Sequence, residues 1–572
     1  MMVRMPAARL VGPALAATLL CLPSGVRVAG PVFVESAAAT GLAFTHDTGA
    51  SGQYYMAEQM GAGAALFDYD NDGDLDVFLM QSGTLAGSPK AGATSRLFRN
   101  DLTIAADETR TLRFTDVTER AGLGWRGYGM GVAVADVDND GDQDLFLTSF
   151  GPEALFRNNG DGTFTDVTAA AGVSDRLWST SASFFDYDRD GDRDLFVANY
   201  LDFTVADNKV CFDSLGARDY CGPRSYRSVP DRLYRNEGNG RFTDVTEPAG
   251  ISRADGAGLG VVAGDYNLDG WLDLFVANDA TPNQLWINQR DGRFVDEGVL
   301  SGTAFNAAGN PEGSMGIASG DPDADGDEDL FVTNIIGETF ALYENDGHAT
   351  FEDARARWGV AQPTAAFTGF GTDWIDYDND GWLDLFMTNG AVNLIEAQRG
   401  QPNPFRMKNL LFHNTGSRRL TNVSAEAGPA FAMDQTGRGA AFGDVDNDGD
   451  TDIVVTNNGG AVRLLINQAA AGAHWLQVRL EQPGNRQGIG ALVGIERAGK
   501  PTLWRRVKTD GSYASANDSR IQAGLGSSVS VTAVVVHWPD GRRERWTGIQ
   551  ADRVVTLQRG TGQMLPAAGD VK

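Results

Sequence analysis

Apolar residues in this chain come in short runs, and the runs recur. At Asp144–Thr148 an aspartate leads into Leu145, Phe146 and Leu147, too short for a helix and rich in strand formers. Just upstream, Gly131–Ala135 is a run of small and β-branched residues. Downstream, Leu155, Phe156, Arg157 and Asn158 form another run, Asn159–Gly162 a tight turn, and Phe164–Val167 a last short strand. The pattern predicts four strands, A to D, connected as a meander. The small residues of strand A are expected where strands crowd around a central axis. The whole unit occurs seven times, with successive copies 50 to 79 residues apart. A strand-built unit at that period predicts a β-propeller.

Each copy has an acidic loop between strands A and B. In the second copy Asp136, Asp138, Asp140 and Asp144 occupy loop positions 1, 3, 5 and 9, Gly141 is at 6 and Asp142 at 7. Carboxylates about 4 Å apart near a surface repel by roughly 4 kcal/mol at an effective dielectric of about 20, and a hard cation removes that cost. Calcium takes six to eight oxygens in flexible geometry, and the glycine permits the sharp turn. The first half reads like an EF-hand loop. Position 12, however, is Leu147 rather than Glu, and Asp144 closes the site at the start of a strand. The first copy offers Asp68, Asp70, Asp72, Asp74 and Asp76. The third offers Asp186, Asp188, Asp190, Asp192 and Asp194, and the fourth Asp265, Asn267, Asp269, Trp271 and Asp273. The fifth offers Asp321, Asp323, Asp325, Asp327 and Asp329, the sixth Asp376, Asp378, Asp380, Trp382 and Asp384, and the seventh Asp444, Asp446, Asp448, Asp450 and Asp452. Trp271 and Trp382, at position 7, are expected to offer their backbone carbonyls, with their indoles packed beside the sites. Up to seven Ca²⁺ are expected.

Segments of strand D type follow the first six loops, starting at Phe114, Phe164, Phe242, Phe294, Phe351 and Leu420, and none follows the seventh. Phe33–Leu42 matches Phe164–Val173 in pattern. The N-terminal segment is therefore expected to supply the outer strand of the last blade, closing the ring and removing two sheet edges. The fold class expected is all-β: a seven-bladed β-propeller with calcium-binding hairpins over residues 31–467, a small C-terminal β domain over 468–562, and a tail over 563–572. In a meander of this kind the acidic loops share one face. The long insertions, 81–94, 199–230 and 389–408, share the other, where function is expected.

Composition refines this picture. The 71 glycines fit a turn-rich all-β chain, and the formal charge is −29. Seven divalent ions would bring it to −15, still acidic enough to argue against nucleic acid and anionic membranes as partners. Residues 1–30 read as a signal peptide: Arg4 and Arg9 precede an apolar stretch from Leu10 to Leu22, too short to span a bilayer comfortably. No later segment is long and apolar enough to be a transmembrane segment, so the protein is expected to be exported, extracellular or periplasmic. Cys211 and Cys221, the cysteines left after signal removal, are expected to form a disulfide in that oxidising setting.

Beyond Asn467 no acidic loop follows. The strand at His474–Leu480, the hairpin around Pro539–Gly541 and the strand at Val554–Leu557 read as the C-terminal domain. The repeats resemble FG-GAP/VCBS repeats, as in the integrin α-subunit propeller. Trp475–Val478, Asn485–Ala491, Gly524–Gly526 and Trp538–Gly541 are similar to the ASPIC/UnbV domain. Together they identify the chain as resembling the cartilage-acidic-protein (ASPIC/UnbV) family of secreted proteins. The resemblance implies extracytoplasmic calcium binding. The integrin likeness implies adhesion, although no Arg-Gly-Asp triplet occurs.

No nucleophile elbow, P-loop or zinc-helix motif is present. The candidates for acid–base chemistry are His46 and Glu58, expected on the insertion face with Asp255 and Glu312 around the axial mouth. The leading expectation is a secreted calcium-binding propeller protein acting as a binding or adhesion module for a glycan or extracellular protein. The alternative is a calcium-stabilised lyase, dehydratase or cyclase acting on a carbohydrate or secondary metabolite.

Overall fold

The computed structural model describes residues 32–85, 94–253, 256–469 and 472–566. The signal peptide expected at 1–30, the middle of the first insertion and Asp255 lie outside the described residues.

Seven four-stranded antiparallel sheets are present among the described residues. The second sheet shows the plan: Gly129–Ala135, Asp144–Ser149, Ala154–Asn158 and Phe164–Asp166 are strands A to D. Strands A and B are buried throughout, so they carry small or apolar residues on both faces rather than alternating. A one-turn helix, Thr168–Ala171, follows strand D and ends at Gly172 in the left-handed region (φ 81°), which glycine adopts without strain. The N-terminal segment has the same grammar: strand Phe33–Glu35, helix Ala37–Thr40, and Gly41 at φ 89°. Phe33–Glu35 pairs antiparallel with Arg463–Asn467, so Phe33 lies opposite Asn467 and the seventh sheet draws its outer strand from the start of the chain.

The core lies between sheets. Phe67, Phe78 and Leu97 of the first pack with Val132, Leu145 and Phe156 of the second. Leu66, Val77 and Phe98 of the first pack with Ala441, Val454 and Leu464 of the seventh. The innermost strands neighbour one another in chain order, and that of the seventh sheet lies beside that of the first.

The C-terminal region forms two sheets around a common core that includes Leu476, Val478, Val493, Ile495, Val534 and Trp538. His474–Gln482 pairs antiparallel with Ile521–Gly526 and parallel with Arg553–Gln558. The second sheet includes Gln563–Leu565, paired with Arg543–Arg545. The expected tail therefore starts too early at 563: the domain takes those residues as an edge strand, which gives Arg543–Arg545 a second hydrogen-bonding partner.

One feature was not expected. The segment between strands Leu503–Arg506 and Ile521–Gly526 runs into the space enclosed by the seven innermost strands and touches every one of them. Ala516 exchanges backbone hydrogen bonds with Ala64 and Leu66, 2.9 and 3.1 Å. Val132 donates to Ala514 O at 3.1 Å, and Ala514 N donates to Ser181 Oγ at 3.0 Å. Ala263 N donates to Asp510 Oδ2 at 3.0 Å, Ser512 and Ile317 exchange a pair of bonds, and Ser512 Oγ donates to Ala440 O. The Tyr513 ring meets Phe370 edge-on, with centroids 4.8 Å apart. The crowding that keeps strand A small thus comes from this plug as well as from neighbouring strands. A Cβ on Gly63 would lie 1.6 Å from Ala514 O, and one on Gly439 would lie 2.6 Å from Ser515 Oγ.

Candidate calcium loops and the two faces

The seven acidic loops share one backbone. Position 4 is left-handed in all of them, with φ between 55° and 63°, and the position-6 glycine follows at 84° to 103°. This double turn aims amides inward: Asp140 N and Gly141 N donate to the two carboxylate oxygens of Asp136 at 3.1 and 3.0 Å. The same pair of bonds recurs at Asp68, Asp265 and Asp444. The position-9 carboxylate is fixed differently. Asp144 accepts from Val137 N at 2.8 Å and from Asn158 N on strand C at 2.7 Å. In the fifth loop position 2 is Pro322, which has no N–H, and Asp329 Oδ2 is left without a partner.

The loops fit a hard divalent cation. Asp70 Oδ1, Asp138 Oδ1, Asp378 Oδ1 and Asp446 Oδ1 at position 3, with Asp186 Oδ1, Asp321 Oδ2 and Asp376 Oδ1 at position 1, are buried and accept no hydrogen bond. Such orphaned carboxylate oxygens are costly unless something positive meets them. Ligand oxygens of Asp68, Asp70 and Asp76 lie within 4.8 Å of one another, as do those of Asp136, Asp138 and Asp144, and of Asp186, Asp188 and Asp194. Burial, reinforced by neighbouring carboxylates, pushes Asp76, Asp144, Asp194, Asp273, Asp329 and Asp452 well above the usual carboxylate range, and lifts Asp384 to about 7. A bound cation reverses that preference and holds them ionised. The sixth loop also has His413, whose Nδ1 is 3.0 Å from Asp384 Oδ1 and 3.8 Å from Asp378 Oδ2.

Position 7 carries a second role. Asn71 donates to Asp142 at 2.6 Å, Asn139 to Asp192 at 2.6 Å, Asn379 to Asp450 at 2.7 Å and Asn447 to Asp74 at 2.7 Å. These four side chains link loops one to two, two to three, six to seven and seven to one. The Trp271 ring lies under the Arg189 guanidinium at 4.2 Å, and the Trp382 ring packs on the turn at Gly416.

The asparagine ending strand C is the residue that sequence reasoning missed. Asn158 Nδ2 donates to Gln143 O in its own sheet and to Tyr69 O in the preceding one. Asn236, Asn288, Asn345 and Asn414 do the same, and Asn100 reaches back to Val445 O of the seventh sheet. Its signal was its recurrence at one register position in seven units.

The C-terminal domain sits on the acidic-loop face. Arg506 pairs with Glu328, Arg486 Nη1 donates to Asn139 Oδ1 at 3.0 Å, and Arg520 Nη2 donates to Asp444 O at 3.0 Å.

On the opposite face the insertions of the third and sixth sheets interlock. Cys211 and Cys221 are disulfide-bonded as expected. Asp219 Oδ2 accepts from Leu394 N at 3.0 Å, and Arg399 pairs with Asp213. They border a small cavity lined by Met56, Met60, Tyr200, Tyr220, Asp279 and Met315, among others. Tyr513 packs in the same apolar cluster as the three methionines and donates from its hydroxyl to Met60 O at 2.8 Å. Tyr200 OH donates to Asp279 Oδ2 at 2.5 Å, and burial lifts Asp279 to about 6.

His46 and Glu58 lie on this face, with no hydrogen bond between them. The buried His46 ring bonds Ser82 Oγ through Nε2 at 2.9 Å and accepts from Gly459 N at Nδ1, 3.2 Å, which assigns the Nε2–H tautomer. Burial lowers it to about 4. Glu58 accepts from Ser51 and from Tyr220 OH, the latter at 3.0 Å, and burial raises it. Glu312, expected at the mouth, is instead locked in a bidentate pair with Arg355, 2.8 Å on each oxygen, because it is buried and needs a counter-charge there.

The profile of the FG-GAP-like repeat matches residues 68–147, 136–197, 216–276, 265–332 and 321–387, and that of ASPIC and UnbV matches 481–564. Cartilage acidic protein 1 of Homo sapiens is 26% identical over 311 residues, 52% of this chain and 43% of that protein. The protein of the same name from Mus musculus is 27% identical over 312 residues, 52% of this chain and 44% of its own. The matched stretch thus spans less than half the length of these relatives. Among solved structures, an Agrocybe aegerita lectin that recognises non-reducing terminal N-acetylglucosamine covers 70% of this chain and 87% of its own, at 15% identity and a TM-score of 0.35. The rhamnogalacturonan lyase YesW covers 72% and 91%, at 13% identity and a TM-score of 0.28. At such scores neither likeness carries weight here. The FG-GAP-like repeats, matched over more than half of the sequence, place the chain among the FG-GAP-repeat proteins, and an ASPIC/UnbV-type domain follows them.

Proposed function

We propose that this protein is an exported, calcium-stabilised binding module, built as a closed seven-bladed propeller, that holds a glycan or an extracellular protein on its insertion face. The observation that carries the reading is the asymmetry of the two faces. The acidic-loop face is occupied by the C-terminal domain. The insertion face instead bears two interlocked loops, one stapled by a disulfide, around an axial cavity with aromatic, methionine and carboxylate walls. Rigid loops around a concave site are how binding scaffolds present recognition residues. Orphaned carboxylate oxygens in the acidic loops support calcium as the stabilising ion, and the disulfide supports an oxidising compartment. The enzymatic alternative gains nothing from His46, a neutral ring with both nitrogens engaged.

A glycan array probed with the mature protein, in calcium and in chelator, tests the reading. Calcium-dependent binding to a defined sugar, lost when Tyr220→Ala alters the insertion face, is the expected result. A blank array together with no partner captured from extracellular fractions would overturn it.

A further inference from the structure

The seven acidic loops are alike in backbone and unlike in cover. In the first, Asn71, Asp72 and Gly73 are exposed. In the sixth, Asn379 is fully buried, and in the seventh Gly449 and Asp450 are buried. The cover comes from the C-terminal domain, and it touches the loops' own carboxylates.

Two contacts carry the argument. Gly524 N donates to Asp376 Oδ2 at 2.9 Å, on the same oxygen that accepts from Gly381 N within the loop. Gln477 Nε2 donates to Asp444 Oδ2 at 2.6 Å, again sharing it with the loop's own Gly449 N. Both acceptors are the position-1 aspartates, fixed by loop amides and by a donor from another domain. Gly524 has to be glycine for this approach: a Cβ there would lie 2.3 Å from the Asn379 backbone and 2.4 Å from Asp376 Oδ2. Gln522 bridges the two loops, donating to Asn379 Oδ1 at 3.2 Å and to Gly449 O. Asp376 keeps a second oxygen, Oδ1, that is buried and unpartnered, which leaves it for the ion.

We propose that the C-terminal domain is the lid of calcium loops six and seven, with Gln477, Gln522 and Gly524 as positioning residues for those two ions. An ion there leaves only when these contacts open, whereas an ion in loop one faces solvent. By linkage, filling loops six and seven tightens the docking of the C-terminal domain by the same factor by which docking tightens the ions. The inference rests on the calcium reading above.

Stopped-flow release into an excess of a fluorescent chelator separates the two ideas. The total amplitude reports whether calcium is bound at all. Its division into phases reports the lid. The expected result is two slowly released ions beside a faster set. In the double variant Gln477→Leu, Gln522→Leu the slow phase should quicken about tenfold or more, the scale set by losing the Gln477 hydrogen bond to the Asp444 carboxylate. The fast phase should be unchanged, and far-ultraviolet circular dichroism should confirm a folded variant. A single phase for all ions, or a slow phase indifferent to the double variant, would overturn the lid while leaving calcium binding intact. Zero amplitude with a folded protein would overturn both.

Discussion

Tyr513 is where the plug is most exposed to test. Its side chain is fully buried, its ring meets Phe370 edge-on, and its hydroxyl serves Met60 O. Truncating a buried aromatic to alanine costs about 3–5 kcal/mol, and a buried carbonyl left without its donor adds about 1–3 kcal/mol. Tyr513→Ala should therefore destabilise by about 5 kcal/mol, and Tyr513→Phe, which keeps the ring, by about 1–2 kcal/mol. The assay is urea unfolding in saturating calcium, followed by tryptophan fluorescence and far-ultraviolet circular dichroism. Because the plug hydrogen-bonds to strands from across the propeller, both probes should shift together in both variants. A loss below about 1 kcal/mol in Tyr513→Ala would refute the seating of the plug. So would an early transition confined to the C-terminal domain with the propeller transition unmoved.

Other outcomes follow from the same contacts. Asn158→Leu removes the donor shared by Tyr69 O and Gln143 O and should cost about 2–4 kcal/mol, read as a lowered urea midpoint, whereas Asn159→Leu on the adjacent exposed turn should cost little. Chelation should lower the melting temperature because the ions bind only folded loops, and Asp144→Ala should reduce the calcium measured by elemental analysis by one equivalent. Glu153 is pushed up to about 8 by burial, against about 4.5 unfolded. The folded state therefore holds its proton more tightly, so its contribution to stability is full below about pH 4.5 and lost as pH rises to about 8. Glu153→Gln lacks that fall, so the variant-minus-wild-type stability difference should rise by about a few kcal/mol across that window; a flat difference would refute the assignment.

The repeat was legible because each part of it has a local cause. Acid spacing, a glycine at position 6 and a following apolar run define hairpin and strand within a dozen residues. The N-terminal strand was legible too, since Phe33–Leu42 repeats the letters of Phe164–Val173 and its partner was missing elsewhere. The plug was not. Gly511–Ala516 has no periodicity of its own, and its meaning is complementary: it fills the volume that Gly63, Gly131 and Gly439 leave empty. Glu312 misled because position along the chain gave its face correctly but not its burial, and a buried carboxylate is claimed by the nearest guanidinium. The lateral asparagines were visible as letters, but their acceptors belong to a neighbouring sheet far away in sequence.

The threaded plug also has a cost in time. The hydroxyl of Tyr513 bonds a carbonyl 453 residues earlier, and Phe33 waits nearly as long for Asn467. At about 5–20 residues per second, the first sheet is complete roughly 20–70 s before Asn467 exists and roughly 20–80 s before Tyr513 does. During that interval its outer packing face, its glycine-lined inner strand and a lone N-terminal strand are all uncovered. The hazard lies in ring and plug being completed late: a chain that stalls short of Asn467 is left with open edges, and one that stalls short of residue 517 with an unfilled centre, forms that aggregate and that a chaperone or protease in the folding compartment would meet.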